Sequence, residues 1–240
     1  MFNYLLPFLG MTGLVLVSVL WLQPRWLFSI ATLIVPGVIY FAKTDKPIIA
    51  LTIDDGPDAE TTPKILEILR HHEARATFFV ISSRIEGNEL LIQEMVDYRH
   101  ELGNHMTEDK PSFKLLPQEF EVEFLKADTI LSKFAKPRWL RPAAGWPRNS
   151  MVKTAHKYYY QVALGSIFPF DTLIPSSWFA QKHILFNVRP GAIVVLHDHG
   201  LWGKRTASTL ERILPELYRR GYRVVTLSEP TPLKQAESID

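Results

Sequence analysis

The chain has no cysteine in 240 residues. That excludes disulfides and thiolate metal ligands, and it leaves the redox state of the compartment unread. A basic block or stripe is missing as well: beyond the first 42 residues, 26 Lys and Arg stand against 25 Asp and Glu. So even a balance gives nucleic acid no electrostatic reason to bind. There is no internal repeat and no low-complexity tract, which excludes a repeat architecture. The N-terminus lacks charge altogether, except for Arg25, from Met1 to Ala42.

The hydrophobic content of 47% is concentrated in that uncharged segment. Phe2 to Leu22 offers 21 residues without a charge, enough at ~1.5 Å per residue to cross a bilayer core of ~30 Å. A second uncharged stretch, Trp26 to Ala42, is interrupted by Pro36-Gly37. Two readings stand. In one, a single span leads into a half-buried entry segment, with Val38 to Phe41 already in the first strand. In the other, a two-helix hairpin puts Arg25 in the cytoplasm and the rest of the chain outside, following the bias of basic residues toward the cytoplasmic side. A cleaved signal peptide fits less well, because the basic n-region and a small-x-small site are absent. A buried core helix of a soluble protein is the remaining alternative. Residues 1–42 are thus expected to be membrane-associated, and residues 43–240 to form an extracytoplasmic catalytic domain.

From Ile48 onward, strand-like runs alternate with helical ones. Ile48 to Ile53 is a β-prone run that ends at Asp54-Asp55-Gly56-Pro57, where the chain must turn. Thr62-Pro63 opens a helix. Thr77 to Ile81, Glu101 to Asn104, Arg138 to Arg141, Tyr160 to Leu164, Ala192 to Leu196 and Arg223 to Thr226 are the further strand candidates. Pro117 begins an amphipathic helix with Phe120, Phe124, Ala127, Leu131 and Phe134 on one stripe. This alternation predicts an α/β fold, a distorted barrel of about seven parallel strands with crossover helices, preceded by one or two apolar helices. Four polar groups fall just after strand ends: Asp54-Asp55, Asn104-His105, Arg141 and His197-Asp198. In parallel barrels that edge gathers the active-site loops, so four such placements argue for one site.

Each group has a chemical reading and a plainer one. Asp54 and Asp55 cannot face the same way in an extended strand, but a turn brings both to one cavity, one to bind a metal and one to act as base. The plainer reading is an acidic turn capping the next helix. His105 and Asp109 are four apart, so a helical turn would set both on one face as metal ligands. Otherwise they are a solvated loop His beside a capping Asp. Arg141 could hold a carboxylate through a bidentate pair, and the small Ala143-Ala144-Gly145 run leaves backbone N–H groups free for an oxyanion. A surface Arg before a turn is the alternative. His197 is placed to protonate a leaving amine if a carboxylate keeps it charged, with Asp171 the candidate partner. A core His satisfied by a carbonyl is the alternative. His71, His72, His100, His156 and His183 read as helix-surface or loop residues. Trp146 and Trp178 are candidates for a sugar-stacking platform or for the core.

In this order, the residues resemble the polysaccharide deacetylases of carbohydrate esterase family 4, which include chitin, peptidoglycan and chitooligosaccharide N-deacetylases. Thr52-Ile53-Asp54-Asp55-Gly56-Pro57 is close to that family's Thr-Phe-Asp-Asp-Gly-Pro motif, and Arg141-Pro142 to Gly145 and Leu196-His197-Asp198 match two more. The resemblance covers about Lys46 to Leu227. It implies a hydrolase that removes N-acetyl groups from an N-acetylglucosamine polymer or oligosaccharide. It also implies Asp54 as general base, Arg141 holding it, Asp55 and His105 as metal ligands, Ala144 N–H in the oxyanion hole, and His197 as general acid charged by Asp171.

Two positions depart from the family pattern. The second motif normally ends in a His that is a ligand, and here Asp109 stands in its place. The expected site is one divalent ion on Asp55, His105 and Asp109, with Glu108 or His199 as substitutes. The family implies zinc, whereas the harder donor set admits manganese, cobalt or magnesium. Ala143-Ala144 is smaller than the usual Pro-Tyr pair and opens the pocket wall. Three rivals remain: an amidohydrolase of small amides, a glycosyltransferase binding a metal–nucleotide at Asp54-Asp55, and a non-catalytic membrane-tethered carbohydrate binder.

Overall fold

All seven residues of the strand Ile48–Asp54 are buried, as a parallel strand covered on both faces requires. Its apolar side chains explain why the run has no polar alternation. Ile48, Ile49, Leu51 and Ile53 are all in the core, each contributing ~1.5–3 kcal/mol through burial.

The structure, a computed structural model, describes residues 17–231. Residues 17–22 are helical (α1). There follow α2 (Arg25–Ile34), β1 (Val38–Ile39), β2 (Ile48–Asp54), α3 (Thr62–His71), β3 (Thr77–Val80), α4 (Glu89–Asp97), β4 (Glu101–Asn104), α5 (Pro117–Leu131), β5 (Trp139–Leu140), α6 (Asn149–Lys157), β6 (Gln161–Ala163), α7 (Ser177–Asn187), β7 (Ile193–His197), α8 (Gly200–Arg219) and β8 (Arg223–Val225). Every expected strand is present, most of them a residue or two shorter than the β-prone run that foretold them.

The strands form one eight-stranded sheet in the order β1-β6-β5-β4-β3-β2-β7, and β8 pairs with the first three residues of β2. Each strand pair is parallel. The two ends of the path are drawn together where Ile167 bridges Val194 and Phe41 bridges Ala192. The result is the expected distorted (β/α) barrel. Inside it, Ala50, Phe79, Trp139, Ala163, Ile193 and Leu227 form one buried cluster. Outside, the larger core lies under α3, α4 and α8, and a second core joins α5 and α6 to β5 and β6.

Helix α5 buries Phe120, Phe124, Ala127 and Leu131, the stripe read from its spacing. Phe134 lies beyond the helix end and packs, partly buried, on the larger core.

The N-terminal segment docks on the barrel wall. Gln23 exchanges two hydrogen bonds with the Phe168 backbone, both 2.8 Å, and Arg25 Nη2 donates to the Pro190 carbonyl at 2.5 Å. The hairpin reading is corrected here. Helix α2 has 10 residues, ~15 Å at the rise of an α-helix, about half a bilayer core, and β1 then enters the sheet. Among the described residues no helix is long and apolar enough to cross a membrane. The expected span from Phe2 to Leu22 lies outside the described residues up to position 16.

Candidate active site

The ladder places the strand-end groups in one row. Asp54 is in register with Phe79 on one side and His197 on the other. The row continues from Val80 to Asn104 and from Asn104 to Leu140, so His105 and Arg141 each follow the last paired residue of their strands. Side chains separated by about 140 positions therefore meet at the carboxyl edge of the barrel, where such folds keep their sites.

Asp55 has φ of 73°, in the left-handed region that Asp tolerates better than most residues. That single dihedral breaks the alternation of the strand, and both carboxylates turn into the site, buried. Arg141 Nη1 donates to Asp54 Oδ1 at 2.5 Å and to Thr52 Oγ1 at 2.9 Å, while its Nε donates to the Ala163 carbonyl at 2.9 Å. The expected bidentate pair is thus a single contact; Nη2 is buried without a partner. The guanidinium lies 4.1 Å above the centre of the Phe79 ring. Gly103 makes room for that ring, since a Cβ there would lie 2.6 Å from Phe79 Cδ1.

His105 Nδ1 lies 2.6 Å from the Arg141 carbonyl. A carbonyl only accepts, so Nδ1 donates and the neutral ring presents its lone pair at Nε2. Nε2 faces Asp55 Oδ1 at 3.3 Å. Two acceptors so close need a proton or a cation between them. Burial alone would push the imidazole pKa down, but the Asp55 hydrogen bond and the Asp54 and Asp55 charges outweigh it and raise it. Burial pushes Asp55 up, yet the His105 hydrogen bond and the charges of His105, His197 and Arg84 bring it down to about 2. By its donor chemistry this pair suits a divalent cation, with carboxylate oxygen and imidazole nitrogen as ligands.

Asp109 does not join them. Residues 105–111 are not helical, so the spacing of four does not stack the two side chains. The Asp109 side chain is 42% exposed and its Oδ2 lies 3.1 Å from Arg84 Nη2. Among the described residues no group of three His, Cys, Asp or Glu side chains is placed to hold a metal ion. The two expected substitutes are engaged elsewhere: Glu108 faces Lys110 at 4.0 Å, and His199 Nδ1 lies 3.2 Å from Asp58.

His197 Nδ1 lies 3.1 Å from both carboxylate oxygens of Asp171, which also accepts the His197 backbone N–H at 3.0 Å. Burial pushes this imidazole down; the hydrogen bond and charge of Asp171, with the charges of Asp54 and Asp55, overcome it and hold the pKa at about 9. Its side chain remains 23% exposed, so it is open to a ligand. Ala144 is exposed with φ of 66°, and no acceptor among the described residues takes its N–H.

Other positions read differently from the expectation. His100 and His183, expected at the surface, are buried; His100 Nδ1 accepts the Ala76 N–H at 3.2 Å. Trp146 and Trp178 are 70% and 60% exposed, which removes them from the core. Asp198 accepts the Thr61 and Thr62 hydroxyls at 2.5 Å each, tying the end of β7 to the start of α3. Arg84, Thr52 and Phe79 were not foreseen as site residues. Beside His105, Met106 begins a groove of about 610 Å³ lined by Ser112, Leu115, Glu119 and Val122.

Comparison with known proteins relates the chain to a family and a fold. The family model described as polysaccharide deacetylase matches residues 41–163. A peptidoglycan-N-acetylglucosamine deacetylase of Bacillus cereus is 36% identical over 195 residues, which is 80% of this chain and 92% of that protein. The crystal structure of a peptidoglycan N-acetylglucosamine deacetylase in complex with 4-naphthalen-1-yl-N-oxidanyl-benzamide superposes with a TM-score of 0.77 at 28% identity, over 81% of this chain and 92% of that one. A family 4 acetyl xylan esterase from Clostridium thermocellum, in complex with a cobalt ion, gives a TM-score of 0.70 at 29% identity, over 76% and 89%.

Proposed function

This chain belongs to the polysaccharide deacetylase family, and from that premise we propose that it hydrolyses the acetamide of N-acetylglucosamine in a polysaccharide, releasing acetate and a free amine. The polysaccharide N-deacetylase class follows from the relatives. Peptidoglycan as the polymer is supported by the name of the Bacillus cereus relative, which the chain spans almost completely.

The observation that carries the reading is a base and an acid of opposite charge on neighbouring strands. Asp54 is ion-paired with Arg141, and His197, its partner in register, is kept as an imidazolium by Asp171. Amide hydrolysis needs both at once: a group that takes a proton from water and one that gives a proton to the departing nitrogen. Asp54 removes the water proton as oxygen attacks the acyl carbon. The Ala144 N–H takes the developing oxyanion. His197 Nε2 protonates nitrogen as the C–N bond breaks. Asp55 and His105 would hold a divalent ion, and the chemistry such an ion supplies when bound is carbonyl polarisation and a more acidic water.

The flanking sugars of the substrate have room in the groove beside His105, along α5. Attachment to a membrane through residues 1–42 is supported by an exposed apolar row: Val17, Leu20, Trp26, Ile30 and Leu33 face outward, the surface a helix presents when it lies in a lipid interface. That orientation would set the barrel against an extracytoplasmic glycan.

Acetate release tests the reading. The chain should release acetate from peptidoglycan or chitooligosaccharides far faster than from small amides, and Asp54→Asn and His197→Ala should each lose most turnover at a temperature where circular dichroism shows the variant folded. Near wild-type rates in either folded variant would remove its assigned role. Faster turnover of small amides would replace the substrate.

A further inference from the structure

We propose that Arg84 holds Asp109 out of the cation site, so that the chain binds a divalent ion with Asp55 and His105 alone and gains its third protein ligand only when Arg84 lets go. This rests on the cation site proposed above and concerns how that site is completed.

Two short segments set the geometry. The turn Ser82–Arg84 runs beside the loop that follows His105: Ser82 N–H donates to the Met106 carbonyl and Ser83 N–H to the Thr107 carbonyl, both 3.1 Å. Those bonds leave Arg84 and Asp109 facing each other just beyond the ladder. The guanidinium then spans the gap. Its Nη2 donates to Asp109 Oδ2 at 3.1 Å, and its Nη1 donates to the backbone carbonyl of Asp55 at 2.5 Å. Asn88 Nδ2 holds the Arg84 carbonyl at 3.0 Å. Arg84 is thus fixed between the backbone of one ligand and the carboxylate of a second candidate.

The charges set Arg84 and the cation in competition for Asp109. For Asp109 Oδ2 to ligate a cation shared with Asp55 and His105, it must leave Nη2. The guanidinium would then keep its hold on Asp55 with one donor empty, close to a divalent charge of its own sign. Asp109 meets Arg84 through Oδ2, and the charge it shares with the guanidinium is weakened toward a second cation, so the two positive partners compete for one carboxylate. A neutral imidazole at position 109 would give Arg84 no charge to hold. An aspartate there changes the site from a fixed set of three ligands into two ligands and a latched third.

Coupling between the two side chains is therefore the measurable consequence. Cobalt(II) is titrated into the 240-residue wild-type chain, Asp109→Asn, Arg84→Gln and the double variant, and affinity is read by calorimetry alongside the visible absorption of bound cobalt. In the wild-type background Asp109→Asn should weaken cobalt by no more than about threefold, the effect of one exposed charge several ångströms away. Arg84→Gln should tighten it about tenfold, the range in which neighbours of metal ligands act. With Arg84 replaced, Asp109→Asn should cost at least tenfold and change the cobalt spectrum. Arg84→Met must give the same coupling, which guards against a donor role of the new Gln. Equal costs of Asp109→Asn in both backgrounds, or a larger cost in wild type, overturn the latch while leaving the cation site standing. Cobalt binding to none of the proteins overturns the cation site itself, and the latch with it.

Discussion

Replacing Asp171 by Asn removes one negative charge at nearly constant volume, and the geometry says where the effect must appear. The His197 pKa stands at about 9, against an ordinary value of 6.5. That gap of about 2.5 pH units corresponds to roughly 3 kcal/mol in favour of the imidazolium. Asp171 is the nearest source of it, touching Nδ1 with both oxygens, while Asp54 and Asp55 contribute more weakly. Burial acts the other way, so without the Asp171 charge the ring returns to about 6.5 or lower. At pH 7.5 the charged fraction then falls from about 97% to about 10% or less. The acid is lost in proportion. The expected outcome is kcat/KM lowered about tenfold at pH 7.5, close to wild type at pH 5.5, with the alkaline limb moved from near pH 9 to near or below 6.5. The assay is acetate release from an N-acetylated oligosaccharide across pH 5–10. An Asp171→Asn protein whose alkaline limb stays at pH 9 would refute the pairing as the source of the charge.

The same pair ties stability to pH. Because the folded pKa of His197 is raised, its contribution is complete below pH 6.5 and is lost as pH rises through about 9; the melting temperature of wild type should fall over that window relative to Asp171→Asn, and parallel curves would count against it. Arg141→Ala leaves the buried Asp54 carboxylate without its cation and should destabilise by about 3–5 kcal/mol in urea unfolding, whereas a loss below 1 kcal/mol would show that Asp54 finds another partner. Gly103→Ala places a methyl 2.6 Å from Phe79 Cδ1 inside the barrel. It should cost about 1–3 kcal/mol and lower activity by shifting the ring that supports Arg141; an unchanged midpoint and rate would contradict that support.

Much of this could be read in advance because the informative signals were local. The run from Ile48 to Ile53 is apolar without alternation, which only a strand buried on both faces explains, and the polar residues directly after it had to lie at the barrel rim. The same reasoning held for His105, Arg141 and His197. It failed for Asp109, because a spacing of four carries meaning only on a helix, and residues 105–111 follow an irregular path. Arg84 left no trace in the sequence: it acts from a short turn and reaches the site by side-chain length alone. His100 and His183 were misplaced for a related reason. A histidine buried with a backbone partner, as His100 is with Ala76, looks the same in sequence as one in solvent. Arg141 meets Asp54 through Nη1 alone, with Nη1 also on Thr52, Nε on Ala163 and Nη2 unpartnered, an orientation that no spacing rule reports. At the N-terminus, uncharged length was legible but its partition was not; Gln23, which ties the segment to the Phe168 backbone, gave no periodic signal.

The central claim is that residues from four strand ends act on one acetamide. A crystal structure of Asp54→Asn with an N-acetylglucosamine oligosaccharide tests it most directly. The account predicts the acetamide carbon within about 3–4 Å of the position 54 side chain, its nitrogen toward His197 and its oxygen toward the Ala144 N–H. An oligosaccharide seated with its acetamide away from all three would contradict it.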